Sequence, residues 1–275
     1  MIRETAVIID AHTHIYPEAV AEKAIKRIID NTGGQLRAYT DGTYANLLSS
    51  MEEGGVDISI VLTVATSPSQ GKGILEWIQS MRALSSKLLY FASVHPADPD
   101  YRALIREIKA VGIQGIKFHP AYQNFPVDGK EAYKAYEEAL KQDLVLHFHS
   151  GFDMSLPECD YTSVDRFANL AGEFQGAKII LAHAGGDNEW EKILDKLSGK
   201  KCYFDIAFVL ENMKKCQYAR DFYQQNEDYF VFGTDSPWRE QKQYVDYIKD
   251  SKTLTPLQKE KMFYKNILKL IQLSF

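Results

Sequence analysis

The stretch VIIDAHTH, residues 7–14, sets the reading of the whole chain. VIID (7–10) is a short β-branched run suited to a buried strand. An open, doubly wound sheet usually follows its first strand with a glycine-rich phosphate turn. Here the strand runs instead into Ala11-His12-Thr13-His14. Side chains alternate along extended backbone, so the imidazoles of His12 and His14 point to the same side.

Seven further runs of this kind follow: ISIVLTV (58–64), LYFASV (89–94), IQGIKF (113–118), LVLHFH (144–149), KIILAH (178–183), CYFDIA (202–207) and YFVFGT (229–234). Nearly all are apolar rather than alternating, as expected of parallel strands covered on both sides. Amphipathic segments separate them. Asp100 is placed to N-cap a helix with Leu104, Ile105, Ile108 and Val111 on one face. Residues 129–142 repeat the pattern with Tyr133, Tyr136 and Leu140, and Thr255-Pro256-Leu257-Gln258 reads as a capping box. The expectation is α/β: a single (β/α)8 TIM barrel over residues 1–275. The connection between strands one and two, about 15–57, is longer than the others. It is expected to hold an extra helix near 17–30 and a loop over the barrel mouth, with a turn at NTGG.

Bulk properties agree. A length of 275 residues suits one such barrel, which commonly has about 250. The charge of -5, with no run of four Lys or Arg, excludes the electrostatic footprint of a nucleic-acid binder. Three cysteines without a Cys-x-x-Cys pair fit a reducing compartment. The apolar stretch at the N-terminus is too short for a signal-peptide core, and no run is long enough to span a bilayer. A cytoplasmic protein with a small-molecule substrate is expected, without nucleic-acid or membrane partners; association into a homo-oligomer is left open.

The polar residues concentrate at one end of the strands. Asp10, His12 and His14 belong to strand one, Lys117 and His119 to strand four, and His147 and His149 to strand five. His183 closes strand six, Asp205 lies in strand seven, and Asp235 follows strand eight. In a barrel these ends converge on the face where active sites are built. His95, at the end of strand three, is better read as a core histidine held by a backbone carbonyl. Two imidazoles, a third and a carboxylate make a site suited to zinc. His147 and His149 share a face, so either is available as the third imidazole. His149 stands nearer the mouth and is preferred, leaving His147 one layer deeper.

DAHTH, GIKFHP, HFHSG, AHAGG and FGTDSP, in this order, resemble the motifs of the amidohydrolase superfamily. The branch they resemble is amidohydrolase-2, which includes the aminocarboxymuconate semialdehyde decarboxylases. The resemblance runs from strand one to strand eight. It implies His12, His14, His149 and Asp235 as ligands of one divalent ion, zinc by preference. It also implies His183 as an acid/base or electrophile, and Lys117 stands where two-metal branches carry a carboxylated lysine.

A metal of this kind lowers the pKa of bound water to about 7. Asp235 would take that proton, and His183 would polarise a substrate carbonyl. Asp235 could alternatively N-cap a helix within TDSP. Lys117, His119, Arg239 and Trp238 are candidates to bind an anionic substrate, with Phe152 and Tyr122 as further wall residues. The expected reaction is hydrolysis of an amide, lactone or ester; the alternative is non-oxidative decarboxylation of a small aromatic or unsaturated acid. A barrel that only binds is disfavoured by its full ligand set. A nuclease is disfavoured by the acidic charge and by Lys117 in place of a bridging glutamate.

Overall fold

A computed structural model describes residues 7–273; the charged start read above as no signal-peptide core lies outside the described residues. Eight strands follow one another: β1 (Ile9–Thr13), β2 (Ile58–Leu62), β3 (Leu88–Ser93), β4 (Gly115–Phe118), β5 (Val145–Phe148), β6 (Ile179–Leu181), β7 (Tyr203–Asp205) and β8 (Phe230–Val231). Each pairs in parallel with the next, in chain order. The ends meet through Ala11 N–H to Phe232 O (2.9 Å), Asp235 N–H to His12 O (2.7 Å) and a parallel bridge between Thr13 and Ser236. The fold is a (β/α)8 barrel.

Two apolar layers hold it together. Ile9, Ala11, Ile60, Phe91, Val145, Ile180 and Val231 fill the barrel. Ile267, Leu270 and Ile271 from the C-terminal segment join them at the N-terminal end of the barrel. There Gln272 exchanges hydrogen bonds with Gln114, just before β4. Ile116, Phe118, Leu146, Phe148, Phe204 and Phe230 face the other way, into the layer shared with the helices. The apolar runs seen in the sequence are therefore buried on both faces.

Each strand overlaps its expected run, and pairing ends earlier than the run does in β2, β3 and β5 to β8. Past the last ladder bond the chain is free to turn, and those extra residues build the mouth. Strand β1 departs in the other direction, reaching Thr13. Ile9 and Ala11 both pack inside the barrel, so strict alternation would turn His12 toward the helices with Asp10. A register shift between Asp10 and Thr13 breaks the alternation and brings His12 inward as well.

The first connection holds two helices, Glu18–Asn31 and Tyr44–Gly54; the second packs against the helix Gln241–Asp250. Gly33 and Gly34 of the NTGG turn both have positive φ (62° and 77°). The loop between the helices passes the mouth, where Tyr39 N–H donates to Pro237 O (2.7 Å). Asp100 stands at an N-cap position, but its side chain makes no capping bond; instead its own N–H donates to the Asp98 carboxylate. The capping box at Thr255 and Gln258 is present. Among the described residues no helix is long and apolar enough to cross a membrane.

Candidate active site

Asp205, at the end of β7, is the hub of the polar face. It is fully buried. Its Oδ1 accepts from the backbone N–H groups of His183 (2.9 Å) and Ala207 (3.1 Å). Its Oδ2 takes Nδ1 of His12 (2.8 Å) and Nε2 of His147 (3.1 Å). Burial alone would raise this carboxyl, but the two imidazoles hold it well below the usual carboxylate range. An ionised carboxylate only accepts, so both ring nitrogens facing it are donors.

That fixes the tautomer of His12 and leaves its Nε2 as a bare acceptor. His14 is fixed in the same way, because its Nδ1 faces the Leu62 carbonyl at 2.8 Å. The two Nε2 atoms are 3.2 Å apart, and Asp235 Oδ1 lies 3.4 Å from His12 and 3.1 Å from His14. The three atoms thus face one another, and Asp235 Oδ1 has no hydrogen-bond partner there. Burial lowers His12 to about 4, with Asp235 and Asp205 opposing and Lys117 adding to the fall. It is therefore neutral at pH 7. Burial would raise Asp235, but His12, His14 and His183 keep it below the ordinary range. Such a trio requires a cation, and two imidazoles with a carboxylate suit a divalent metal.

His183 continues the ring. Its Nδ1 faces the Ala207 carbonyl (3.2 Å), leaving Nε2 toward His149 Nδ1 (3.2 Å) and, at 4.0 Å, Asp235 Oδ2. His149 is beside the trio rather than within it. Its Nε2 turns to Asp153 Oδ2 (3.7 Å), which His119 Nε2 also approaches (3.5 Å). His119 is stacked between His149 (4.0 Å) and Tyr122 (4.1 Å). The reason is local: Tyr122 N–H donates to His119 Nδ1, fixing that ring, and His149 lies flat against it. Asp153 sits in an irregular loop without periodicity, and the sequence reading passed over it. His147 is one layer deeper, as expected, on Asp205.

Lys117 points into the barrel, 1% exposed, and its Nζ has no hydrogen-bond partner. Burial pulls its pKa down to about 8 against the attraction of Asp205 and Asp235. Arg239 is half-buried, with its guanidinium 3.7 Å over the Phe208 ring. Trp238 is buried, whereas Phe152 is exposed. Asp235 caps no helix: its carbonyl accepts from Trp238 N–H (2.8 Å) around the cis Ser236–Pro237 bond. Asp10 is structural. Raised to about 6 by burial despite its hydrogen bonds, it ties β1 to Thr234 and to Gln241. His95 is held by the Gln123 carbonyl (2.9 Å), as expected.

Glycines permit the close packing. A Cβ on Gly233 would come within 3.0 Å of Asp205 Cβ and 3.1 Å of His12 Cβ. This explains the glycine of FGTDSP.

The sequence model of the family Amidohydro_2, described as Amidohydrolase, matches residues 9–273. The chain belongs to the amidohydrolase-2 family. This is a family of metal-dependent enzymes, in keeping with the acceptor trio. No curated protein matches the sequence. Among solved structures, the amidohydrolase-2 barrel of this chain is similar to 5-carboxyvanillate decarboxylase from Sphingomonas paucimobilis. That comparison has TM-score 0.71 and 11% identity, covering 98% of this chain and 100% of the other. It is also similar to dihydroxybenzoic acid decarboxylase from Polaromonas sp. JS666 with bound manganese and 2-nitroresorcinol (0.71, 16%, 97% of each). A third is a probable 2-pyrone-4,6-dicarboxylic acid hydrolase from Acinetobacter baumannii with citric acid bound (0.63, 17%, 96% and 98%).

Proposed function

We propose that this amidohydrolase-2 member is a metal-dependent decarboxylase, removing CO2 without oxidation from a small aromatic or unsaturated carboxylic acid. The observation that carries the proposal is the acceptor trio of His12, His14 and Asp235 with the unpaired Lys117 ammonium buried in the same barrel end. Two similar folds described as decarboxylases of aromatic acids support the choice of reaction over hydrolysis.

His12, His14 and Asp235 would hold one divalent ion, with His149, next in the ring through His183, as the expected fourth ligand. Zinc is the proposed ion for this donor set; manganese is the ion named for the Polaromonas decarboxylase. Bound there, the ion would act as a Lewis acid on an oxygen of the substrate. Lys117 binds the carboxylate that will leave, in a site too dry to screen its charge. Asp235 and His183, whose Oδ2 and Nε2 lie 4.0 Å apart, would pass a proton to the substrate carbon that loses CO2. Asp205 keeps His12 in the tautomer that leaves Nε2 bare.

Elemental analysis of the purified protein tests the ion, with about one zinc per chain expected. A screen of hydroxybenzoates and unsaturated acids for CO2 release tests the reaction. Ring opening of a pyrone dicarboxylate without CO2 release would instead favour the second reading, lactone hydrolysis, which the Acinetobacter hydrolase fold supports.

A further inference from the structure

Three imidazoles at the mouth rest on an outer oxygen through Nδ1 and turn Nε2 to the centre. His12 uses Asp205, His14 the Leu62 carbonyl and His183 the Ala207 carbonyl. His149 is set the other way round. Its Nδ1 lies 3.2 Å from His183 Nε2, the atom that also approaches Asp235 Oδ2, so Nδ1 is on the side of the trio. Its Nε2 is buried without a hydrogen-bond partner and faces Asp153 Oδ2 at 3.7 Å. A buried ring nitrogen left unpaired costs free energy, and Asp153 stands where it can be paired.

The Asp153 carboxyl is arranged to receive that nitrogen. Oδ1 accepts from Ser155 N–H (2.7 Å) within the loop's own turn, which leaves Oδ2 for the histidines. His119 approaches Oδ2 through Nε2 at 3.5 Å. Because His119 Nδ1 accepts from Tyr122 N–H (3.3 Å), that ring carries its proton on Nε2, and Oδ2 is an accepting oxygen. His149 lies flat on His119, with 4.0 Å between centroids and 6° between planes, so both Nε2 atoms come to the same oxygen. The loop that carries Asp153 is fastened at its base. Gly151 N–H donates to Thr162 O (2.8 Å), and Thr162 Oγ1 donates to Gly151 O (2.7 Å). Tyr122 Oη, 2.9 Å from Ser155 Oγ, ties it to the connection after β4.

We infer that Asp153 is a positioning residue for His149: it accepts the Nε2–H and leaves Nδ1 bare for the divalent ion. His149 then binds through Nδ1, whereas His12 and His14 bind through Nε2. The opposite tautomer sets a bare Nε2 against the Asp153 oxygen, two acceptors face to face, and removes the lone pair on the side of the trio. The inference rests on the reading of His149 as the fourth ligand, and adds the atom it uses and the residue that selects it. It also makes the ion depend on a loop, since Asp153 stands between β5 and the helix Val164–Glu173, outside every strand and helix.

The test is zinc affinity, measured by chelator competition on the wild type, Asp153→Ala, His149→Ala and the double variant, with circular dichroism to confirm folding. Asp153→Ala is expected to weaken zinc binding by about 10–100-fold. In the His149→Ala background the same change is expected to cost less than about threefold, because Asp153 acts on the ion through His149. An Asp153 that only held the loop together would lower affinity equally in both backgrounds. A crystal structure of the zinc-loaded wild type reads the ligand atom directly and needs no variant to fold; zinc on His149 Nδ1 is expected. Zinc on Nε2 or away from His149, unchanged affinity in Asp153→Ala, or an equal loss with and without His149 would each overturn the inference. Zinc on Nδ1 in an enzyme that releases CO2 from no acid would support it and sink the decarboxylase reading. Release of CO2 by an enzyme with zinc on Nε2 would do the reverse.

Discussion

Replacing Asp205 by Asn should damage the metal site from a distance. The side chains are of equal size, so no cavity forms. One oxygen can remain to accept from His183 and Ala207, but the other becomes an amide NH2 facing Nδ1 of His12 and Nε2 of His147. Two imidazole donors to a buried carboxylate are lost, each worth about 1.5–3 kcal/mol. Asparagine recovers part of this because a buried charge no longer has to be desolvated. The expected net loss of stability is therefore about 2–4 kcal/mol. His12 has two responses. It can keep its Nδ1–H against the amide donor, or it can move the proton to Nε2, the atom that faces His14 and Asp235. The first misplaces the ring and the second removes the lone pair a metal needs. Loss of such an outer partner typically costs about 10–100-fold in metal affinity. Competition with a chelator of known affinity measures the second quantity, and urea denaturation of the metal-free protein measures the first. A variant within about threefold of the wild type in metal affinity, with an unchanged urea midpoint, would refute the argument that Asp205 sets the His12 tautomer.

Asp235→Asn should abolish turnover and keep the fold: asparagine tolerates the left-handed backbone at φ 62° but cannot carry the proton. Activity near wild type on a confirmed substrate would rule out that role. His183→Asn should lower kcat by about 10²–10⁴-fold while metal content, read by elemental analysis, stays nearly constant. Gly151→Ala, at φ 86° with its new Cβ driven into the Gly186 backbone, should lower stability by more than about 1 kcal/mol in urea denaturation; an unchanged midpoint would contradict it. The Lys117 amine should remain unmodified with one ion per chain. A carbamate carbon in the ¹³C spectrum of enzyme grown in labelled bicarbonate, together with two ions per chain, would show the opposite.

The barrel was legible because its evidence is local: eight apolar runs, each a few residues long, with histidines and acids at their ends. His12, His14, His183 and Asp235 come together because strand ends of a barrel must. What was not legible depends on distance or on rotation. Asp205 was visible as an acid in strand seven, but its hold on β1, β5 and the exit of β6 joins residues up to 193 positions apart. Gln241, bonded to Asp10 across 231 positions, gave no sign in its own helix. The register shift in β1 leaves no mark in AHTH, although the inward turn of His12 depends on it. His149 was placed at the right strand end, but its ring orientation follows from the stack on His119.

Backbone conformation explains a further part of what propensity could not show. His183, Phe208 and Asp235, at the exits of β6, β7 and β8, have φ of 53°, 64° and 62°. Local preference would place Gly or Asn at such positions, since a bulky residue there costs about 1–3 kcal/mol. Each is held by groups from elsewhere in the chain. The His183 N–H is bound to Asp205, the Asp235 N–H to the His12 carbonyl, and the Phe208 ring is clamped between Arg239 and His183. The three form one connected face around the acceptor trio. The strain lies where the side chains must leave the strand direction and turn into the mouth. A residue chosen for its backbone alone would relax each turn and lose the imidazole, ring or carboxylate that the site requires.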